Sequence, residues 1–243
     1  MCIDCGCQQA NKVAFEEIRR EKENLKFRKI EVKTSILDKN NKIAETNRQW
    51  FLDHKLLVFN LMSAPGSGKT LLLEKTSTRL KDSINLGILV GDQERDFDAK
   101  RLEAAGAKVK QLNTASSCHL DAAMIRGELG EFVKPEFSHL IIENVGNLVC
   151  PASFDLGESR KVAILSTTEG EDKPSKYPLL FHEADLIVIT KIDLVQYLEF
   201  SFATCVQHIR GVNAAAPILC LSAKTGQGLD AWLDYVRLGS VAN

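Results

Sequence analysis

The stretch that most constrains the fold of this chain runs from Leu57 to Leu73 and reads LVFNLMSAPGSGKTLLL. An apolar run, a loop rich in Pro, Gly and Ser, and a Leu-rich continuation are typical of a strand, a phosphate-binding loop and a helix. Glycines let backbone N–H groups converge on phosphates, and the helix that follows adds its dipole. The sequence therefore predicts a nucleotide site between a buried strand and a helix.

Two side chains of this loop have expected chemical roles. Lys69 should reach the terminal phosphates, and the Thr70 hydroxyl should bind Mg²⁺. The pattern G-x-x-x-x-G-K-[ST] has glycine at its first position, where this chain has Ser63. The strand and helix on either side nevertheless provide the required context. The predicted phosphate cradle consists of Pro65, Gly66, Ser67, Gly68, Lys69 and Thr70.

Composition narrows the classes of function. The 243 residues are 44% hydrophobic, which is enough for one full globular core. With 31 basic and 32 acidic residues, no charge excess indicates a nucleic-acid partner or an anionic membrane surface. The chain has no apolar run of membrane-spanning length and begins without the pattern of a secretory leader. We expect a cytoplasmic protein.

After the phosphate loop, apolar runs alternate with helical stretches. Runs without polar alternation are typical of a parallel sheet covered on both faces, and the helices supply the crossovers. The predicted fold is therefore α/β, with a mostly parallel sheet flanked by helices. The predicted strands span 85–91, 107–114, 139–146, 161–167, 184–193 and 217–222, and the predicted helices span 71–80, 98–105, 120–132, 194–210 and 229–238.

The region ahead of the phosphate loop is charge-rich, with spaced apolar residues. Its pattern predicts an amphipathic helix from about Ser35 to Asp53. We expect residues 1–34 to form a metal-binding tail and linker, and residues 35–243 to form the nucleotide-binding domain with this leading helix.

Polar residues after two late strands indicate which base is bound. Thr-Lys-x-Asp at the end of the strand before Asp193 places a carboxylate where guanine can donate its ring N–H and exocyclic amine, a pairing that adenine lacks. The Lys191 stem can lie against the base or ribose. Ser222, Ala223 and Lys224, after the last strand, resemble the second base-contacting element of GTPases. The order of these elements predicts GTP and GDP as ligands.

The metal and γ-phosphate end of the nucleotide is expected beside the sequence ENVG. Glu143 should bind Mg²⁺, and Gly146 can turn its N–H toward the γ-phosphate. A second Mg²⁺ carboxylate is expected from Asp92 or Asp98. Many GTPases carry a water-aligning Gln after this glycine, whereas this chain has Asn147. We therefore expect slow intrinsic turnover.

Three cysteines stand within the first seven residues, at Cys2, Cys5 and Cys7. Thiolates are soft ligands, and a C-x-x-C pair can bend onto one ion. The α-amine of Met1 could add a fourth donor, which suits square-planar Ni²⁺ as well as tetrahedral Zn²⁺. The sequence leaves the choice of metal open.

A second constellation of soft ligands lies in the nucleotide-binding domain. Cys118 and His119 follow one predicted strand, and Cys150 lies four residues after Gly146. If the loop after Gly146 moves with the γ-phosphate, a metal held by these residues would sense the nucleotide. Cys205 and Cys220 fall in a predicted helix and an apolar strand, which predicts that both are core residues.

Taken together, MCIDCGC, SAPGSGKT, Cys118-His119, ENVGNLVCP and TKID resemble the HypB family of hydrogenase nickel-incorporation GTPases, which are P-loop GTPases of the SIMIBI class. The resemblance covers essentially the whole chain. It implies a maturation factor that delivers nickel to the large subunit of [NiFe]-hydrogenase, with release coupled to nucleotide state and dimerisation. Cys2, Cys5 and Cys7 would form the tight nickel site, and Cys118, His119 and Cys150 a nickel or zinc site at a dimer interface.

The resemblance also implies partners. These are a second copy of the chain, a HypA-type zinc-containing maturation protein, a nickel chaperone such as SlyD where present, and the hydrogenase precursor. Family dimers have a basic residue that reaches the partner's nucleotide, and Lys176 is the candidate here, with Lys173 next.

Three other interpretations compete with this one. A urease nickel-insertion GTPase carries Cys-Pro-His in its metal loop, whereas this chain has Cys150-Pro151-Ala152. A nickel-buffering protein with a purely structural nucleotide would bind metal equally in the GDP and GTP states. An ATP-driven metallochaperone would need ATP to compete with GTP, which Asp193 disfavours.

Overall fold

The computed structural model describes residues 34–92, 97–114, 117–134 and 136–241. The predicted amino-terminal metal site of Cys2, Cys5 and Cys7 lies outside the described residues, as does the side chain of Asp92.

Seven strands and eight α-helices make up the described chain. Helix α1 spans residues 34–53, as the amphipathic pattern predicts. The strands are β1 (Leu57–Ser63), β2 (Leu86–Asp92), β3 (Lys108–Asn113), β4 (His139–Glu143), β5 (Arg160–Ser166), β6 (Leu186–Thr190) and β7 (Ile218–Cys220). The remaining helices are α2 (Lys69–Leu80), α3 (Phe97–Ala104), α4 (Ala122–Glu128), α5 (Lys173–Lys176), α6 (Pro178–His182), α7 (Phe202–Val212) and α8 (Leu229–Leu238). Short 3₁₀ helices span Pro151–Ser153, Thr167–Glu169 and Ile192–Tyr197.

The strands form one parallel sheet in the order β3-β2-β4-β1-β5-β6-β7. Because all strands run the same way, the loops that follow β1, β2, β3 and β4 emerge at one edge. The predicted α/β class and parallel sheet are confirmed.

Helices cover both faces of the sheet because the central strands are apolar on both sides. In β1, Phe59 and Leu61 pack in a cluster with Leu72 and Trp232 from α2 and α8. Alternate residues of the strands face two further clusters, which contain residues of α6 and α7 and of α1 and α4. The rigid sheet therefore holds the loops at its carboxyl edge.

The predicted helix over residues 194–210 is wrong as one element. The structure has a 3₁₀ helix over Ile192–Tyr197, a break, and then α7 from Phe202. The Ser201 hydroxyl accepts a hydrogen bond from Thr204 N at 3.2 Å, which caps a new helix at this point. Helices α5 and α6 were not predicted, and each has a proline in its first turn. Cys205 is buried as predicted, but Cys220 is exposed, so its prediction as a core residue is wrong.

Asn40–Asn243 forms one compact unit, and its boundary with Met1–Lys39 falls inside α1. Among the described helices, none is both long and apolar enough to cross a membrane.

Candidate functional site

The loop between β1 and α2 has the backbone conformation of a phosphate cradle. Gly66 and Gly68 have φ angles of 73° and 98°, in the left-handed region that glycine adopts without steric cost. Gly68 is the N-cap of α2, and no side chain caps this helix end. The first N–H groups of α2 are therefore available to an anion, and the helix dipole favours negative charge there.

Ser63, at the glycine position of the motif, supports the loop with its hydroxyl. It accepts hydrogen bonds from Lys69 Nζ and from Ser67 Oγ, both at 2.6 Å. Its own backbone is not in the left-handed region, so glycine is not required there. Burial lowers the pKa of Lys69, although attraction to Glu143, Asp98 and Glu169 opposes that shift. The ammonium group is thus held in place beside the cradle.

Glu143, at the end of β4, faces the same loop. Its Oε1 accepts a hydrogen bond from Thr70 Oγ1 at 3.0 Å, so the two expected Mg²⁺ ligands are in contact. Its Oε2 is buried, and no described residue donates a hydrogen bond to it. Burial raises the pKa of Glu143 to about 7, opposed mainly by the attraction of Lys69. A buried acceptor without a donor fits a bound cation, which would supply the missing positive charge.

These groups line a cavity of about 520 Å³, which is large enough for a nucleotide's phosphates and adjoining sugar. The wall includes the whole phosphate cradle together with Glu143 and Gly146. Asp98, in the first turn of α3, and Arg101 also line it. Asp92 ends β2 at the same edge of the sheet. Arg101 was not predicted from the sequence, because no motif marks it.

The predicted base-contacting elements lie at the ends of β6 and β7, outside this cavity wall. Lys191 has a φ of 59°, and its Nζ donates to Gly66 O at 2.7 Å, so its stem crosses the phosphate loop. Thr190 Oγ1 donates to Ser67 O at 2.7 Å. Asp193 lies in the 3₁₀ helix that follows Lys191. The sequence did not indicate that Thr190 and Lys191 also brace the phosphate loop.

The second predicted base-contacting element, Ser222 to Lys224, forms a tight turn beside the first. Ile192 N donates to Leu221 O at 3.4 Å, which brings the two loops together. Ser222 Oγ accepts from Thr225 N at 3.1 Å, and Ser222 and Ala223 are buried. Lys224 is exposed. Both elements therefore lie at one corner of the sheet, next to the phosphate loop.

Cys118, His119 and Cys150 form a cluster. One ligand atom from each lies within 4.8 Å of the others, and all three residues are half-buried. The two sulfur atoms are 2.9 Å apart, and Cys118 Sγ lies 3.8 Å from His119 Nδ1. Burial lowers the pKa of His119, although attraction to Asp121 opposes the shift. The lowered pKa favours the neutral imidazole, which is the form that binds metals. Two thiols and an imidazole are a donor set for Zn²⁺ or Ni²⁺.

Lys176 and Lys173 lie on α5, away from the cavity wall. Lys176 Nζ forms an ion pair with Asp172 at 2.5 Å and is exposed. Lys173 Nζ lies 5.5 Å from the centre of the Tyr177 ring. Lys176 is thus exposed, and Lys173 is half-buried.

Residues 57–220 match the family described as CobW/HypB/UreG, nucleotide-binding domain. The hydrogenase maturation factor HypB of Escherichia coli strain K12 is 50% identical over 210 residues, which cover 86% of this chain and 72% of that protein. The chain therefore belongs to the HypB family.

Solved HypB structures agree with this membership. HypB from Archaeoglobus fulgidus superposes with a TM-score of 0.78 at 39% identity, covering 83% of this chain and 98% of that one. HypB from Helicobacter pylori, in complex with nickel, gives a TM-score of 0.77 at 35% identity, covering 84% and 98%. The HypB nucleotide-binding fold is thus the fold of this protein.

Proposed function

We propose that this protein is a GTP-hydrolysing nickel metallochaperone that delivers nickel to the large subunit of [NiFe]-hydrogenase during maturation. Membership of a family of hydrogenase maturation factors, and a nickel complex of one relative, support the pathway and the metal. The observation that carries the proposal is the position of Cys118, which belongs both to the ligand cluster and to the wall of the nucleotide cavity. A metal held by this cluster would therefore lie next to a nucleotide bound in the cavity.

Three groups of residues are proposed to bind the phosphates, the Mg²⁺ ion and the guanine base. Gly66, Gly68 and the start of α2 hold the phosphates, and Lys69 moves from Ser63 to the terminal phosphates. Glu143 and Thr70 hold Mg²⁺, with Asp98 or Asp92 as a further ligand, and the ion neutralises charge that develops on the phosphates. Asp193 and the turn of Ser222, Ala223 and Lys224 select guanine.

Slow hydrolysis is expected because Asn147 stands where many GTPases carry a Gln that aligns the attacking water. Its Oδ1 accepts from Val149 N at 2.8 Å, and its Nδ2 donates to Cys118 O at 3.4 Å. The Asn147 amide is therefore engaged with the backbone of the loops that carry Cys118 and Cys150. In the proposal, these bonds keep it from orienting a water toward the γ-phosphate. We propose a switch in which GTP binding, hydrolysis and dimerisation change the metal site, with Lys176 reaching the partner's nucleotide.

Nickel is the cargo in this scheme. Cys2, Cys5 and Cys7 would hold it tightly, and Cys118, His119 and Cys150 would hold nickel or zinc close to the nucleotide. The proposed partners are a second copy of the chain, a HypA-type maturation protein, a SlyD-type chaperone and the hydrogenase large-subunit precursor.

The test is nickel transfer from anaerobically purified protein to a chelating acceptor, with GDP or a non-hydrolysable GTP analogue bound. We expect the transfer rate to differ between the two nucleotides, and Cys150→Ala to abolish the difference. Cys220→Ala, an exposed cysteine outside the cluster, is the matched control and should behave as wild type. If the wild type transfers nickel at the same rate in both nucleotide states, the proposed switch is wrong, and the protein is a nickel-binding protein in which the nucleotide is only structural.

A further inference from the structure

We propose that Asn144 is a positioning residue that carries the state of the nucleotide to the loop holding Cys118 and His119. This inference rests on the proposed function, because it concerns how the metal cluster senses the nucleotide. Asn144 directly follows Glu143, lines the nucleotide cavity and is only 1% exposed. It is neither an expected metal ligand nor part of the phosphate cradle, so its burial in a polar site requires an explanation.

The side-chain oxygen of Asn144 joins two loops. Its Oδ1 accepts from Val145 N at 2.9 Å and from Leu120 N at 3.2 Å. Val145 precedes Gly146, whose N–H is expected to face the γ-phosphate, and Leu120 directly follows His119. One atom therefore holds the backbone of the phosphate-sensing loop and the backbone of the metal-binding loop.

A buried chain of hydrogen bonds fixes the orientation of this amide. Asn144 Nδ2 donates to Asn60 Oδ1 at 3.1 Å, and Asn60 Nδ2 donates to Glu158 Oε1 at 3.0 Å. Glu158 Oε2 accepts from Leu156 N at 2.7 Å. Since the backbone N–H groups at both ends can only donate, the direction of every bond in the chain is determined. Asn144 cannot turn away without leaving buried polar groups unpaired, which is unfavourable.

A second asparagine ties the same loops on their outer side. Asn147 connects the backbone next to Cys150, through Val149 N, with the carbonyl of Cys118. Cys150 is therefore linked to the γ-phosphate loop through the chain itself. The Cys118-His119 loop is joined to this segment by the side chains of Asn147 and Asn144, and Asn144 is the buried one of the two.

The consequence is a specific route for the nucleotide signal. When Gly146 turns toward or away from a γ-phosphate, the Val145 peptide turns with it and changes how it shares Asn144 Oδ1 with Leu120 N. The position of His119 then follows the nucleotide. Without the Asn144 oxygen, Val145 can move while Leu120 stays in place.

The test follows the His119 ring by NMR in the metal-free protein saturated with GDP or with a non-hydrolysable GTP analogue. In the wild type we expect the ring signals to differ between the two states. In Asn144→Ala the difference should fall to less than about one third of its wild-type size. The control is Asn213→Ala, which also removes amide hydrogen bonds, here to the carbonyls of Phe181, His182 and Ala184, but none to the Cys118, His119 or Leu120 backbone, and should keep the full difference.

A folded, nucleotide-saturated Asn144→Ala protein with the wild-type difference would overturn the proposal. If that variant does not fold, hydrogen exchange of the Leu120 amide in the wild-type protein tests the proposal instead. Exchange that differs between the two nucleotide states supports the bridge, and equal exchange refutes it. The readout is independent of nickel transfer, so a nucleotide-sensitive His119 with nucleotide-independent transfer would refute the proposed function and leave the role of Asn144 standing.

Discussion

Gly146 packs directly against Pro65 of the phosphate loop. A Cβ atom on Gly146 would lie 3.0 Å from Pro65 Cα and 3.1 Å from its Cγ, closer than side chains normally approach. The φ of Gly146 is not positive, so the glycine is required by this contact and not by its backbone conformation. The segment that leads to Cys150 therefore rests on the loop that is expected to hold the phosphates.

Replacing Gly146 with alanine should push the two loops apart. We expect Gly146→Ala to lower the free energy of unfolding by about 1–3 kcal/mol, the usual cost of overpacking, and to reduce affinity for a GTP analogue more than affinity for GDP. Urea denaturation and nucleotide titrations measure the two effects.

The matched control for this prediction is Gly211→Ala, because Gly211 lies in α7 with open space around it. There the substitution should stabilise the protein by up to about 1 kcal/mol, since alanine is the better helix former. Unchanged stability and nucleotide affinity in Gly146→Ala would contradict the contact.

Removing the Ser63 hydroxyl should destabilise the protein mainly in the absence of nucleotide. Ser63→Ala leaves the buried Lys69 ammonium without its 2.6 Å acceptor. We expect a loss of about 1–3 kcal/mol in the free energy of unfolding, and a smaller loss with saturating GDP, because a phosphate then accepts from Lys69. Denaturation with and without GDP measures the difference. Ser77→Ala is the control, since no described residue bonds to the Ser77 hydroxyl, and its stability should stay close to wild type.

Replacing the Asp193 carboxylate should weaken guanine selection. Asp193→Asn exchanges one acceptor for a donor, so the base loses charge-assisted hydrogen bonds worth about 1.5–3 kcal/mol, or roughly 10- to 150-fold in affinity. We expect GTP affinity to fall by that factor while ATP binding stays weak, as measured by competition titration. Asp230→Asn, on the first turn of α8, is the control and should leave the preference intact. A preference that survives in Asp193→Asn would place base recognition elsewhere.

Stability should depend on pH through His139, at the start of β4. Its Nδ1 lies 2.8 Å from Ser138 Oγ and its Nε2 lies 3.4 Å from Arg237 O. Burial lowers the pKa of His139, although hydrogen bonds to the backbone of Arg237 and Val236 oppose the shift. The unfolded chain therefore takes up this proton at higher pH than the folded protein, and stability is lost as the pH falls below about 6.5.

We expect His139→Gln to remove this part of the pH dependence, because glutamine does not titrate and its Nε2 can still donate to the Arg237 carbonyl that His139 Nε2 contacts. Urea denaturation of both proteins from pH 5.5 to pH 7.5 gives the slope of the free energy of unfolding against pH for each. The contributions of the other titrating groups cancel in the difference between the two slopes. Equal slopes in the two proteins would show that the His139 proton does not affect folding.

The local sequence was sufficient to predict the strand, the phosphate loop and the helix around Lys69. The glycines at positions 66 and 68 adopt conformations that other residues disfavour. The apolar run before them is typical of a buried parallel strand, and the Leu-rich run after them continues as a helix. The α/β class, the leading helix and the strand positions could be predicted for the same reason. The 3₁₀ helix and break over residues 192–201 could not, because a serine cap outweighed a helical pattern.

Only the tertiary structure decided which distant residues meet. The order β3-β2-β4 carries the loops after β3 and β4 to one edge of the sheet, and that order brings Cys118 within 2.9 Å of Cys150. The bridge from Glu158 through Asn60 to Asn144 likewise joins β1 to two loops, and the sequence indicated no role for any of these three residues. Periodicity reports which face of a strand is buried, but strand order and side-chain partners follow from long-range packing, which spacing along the chain does not encode.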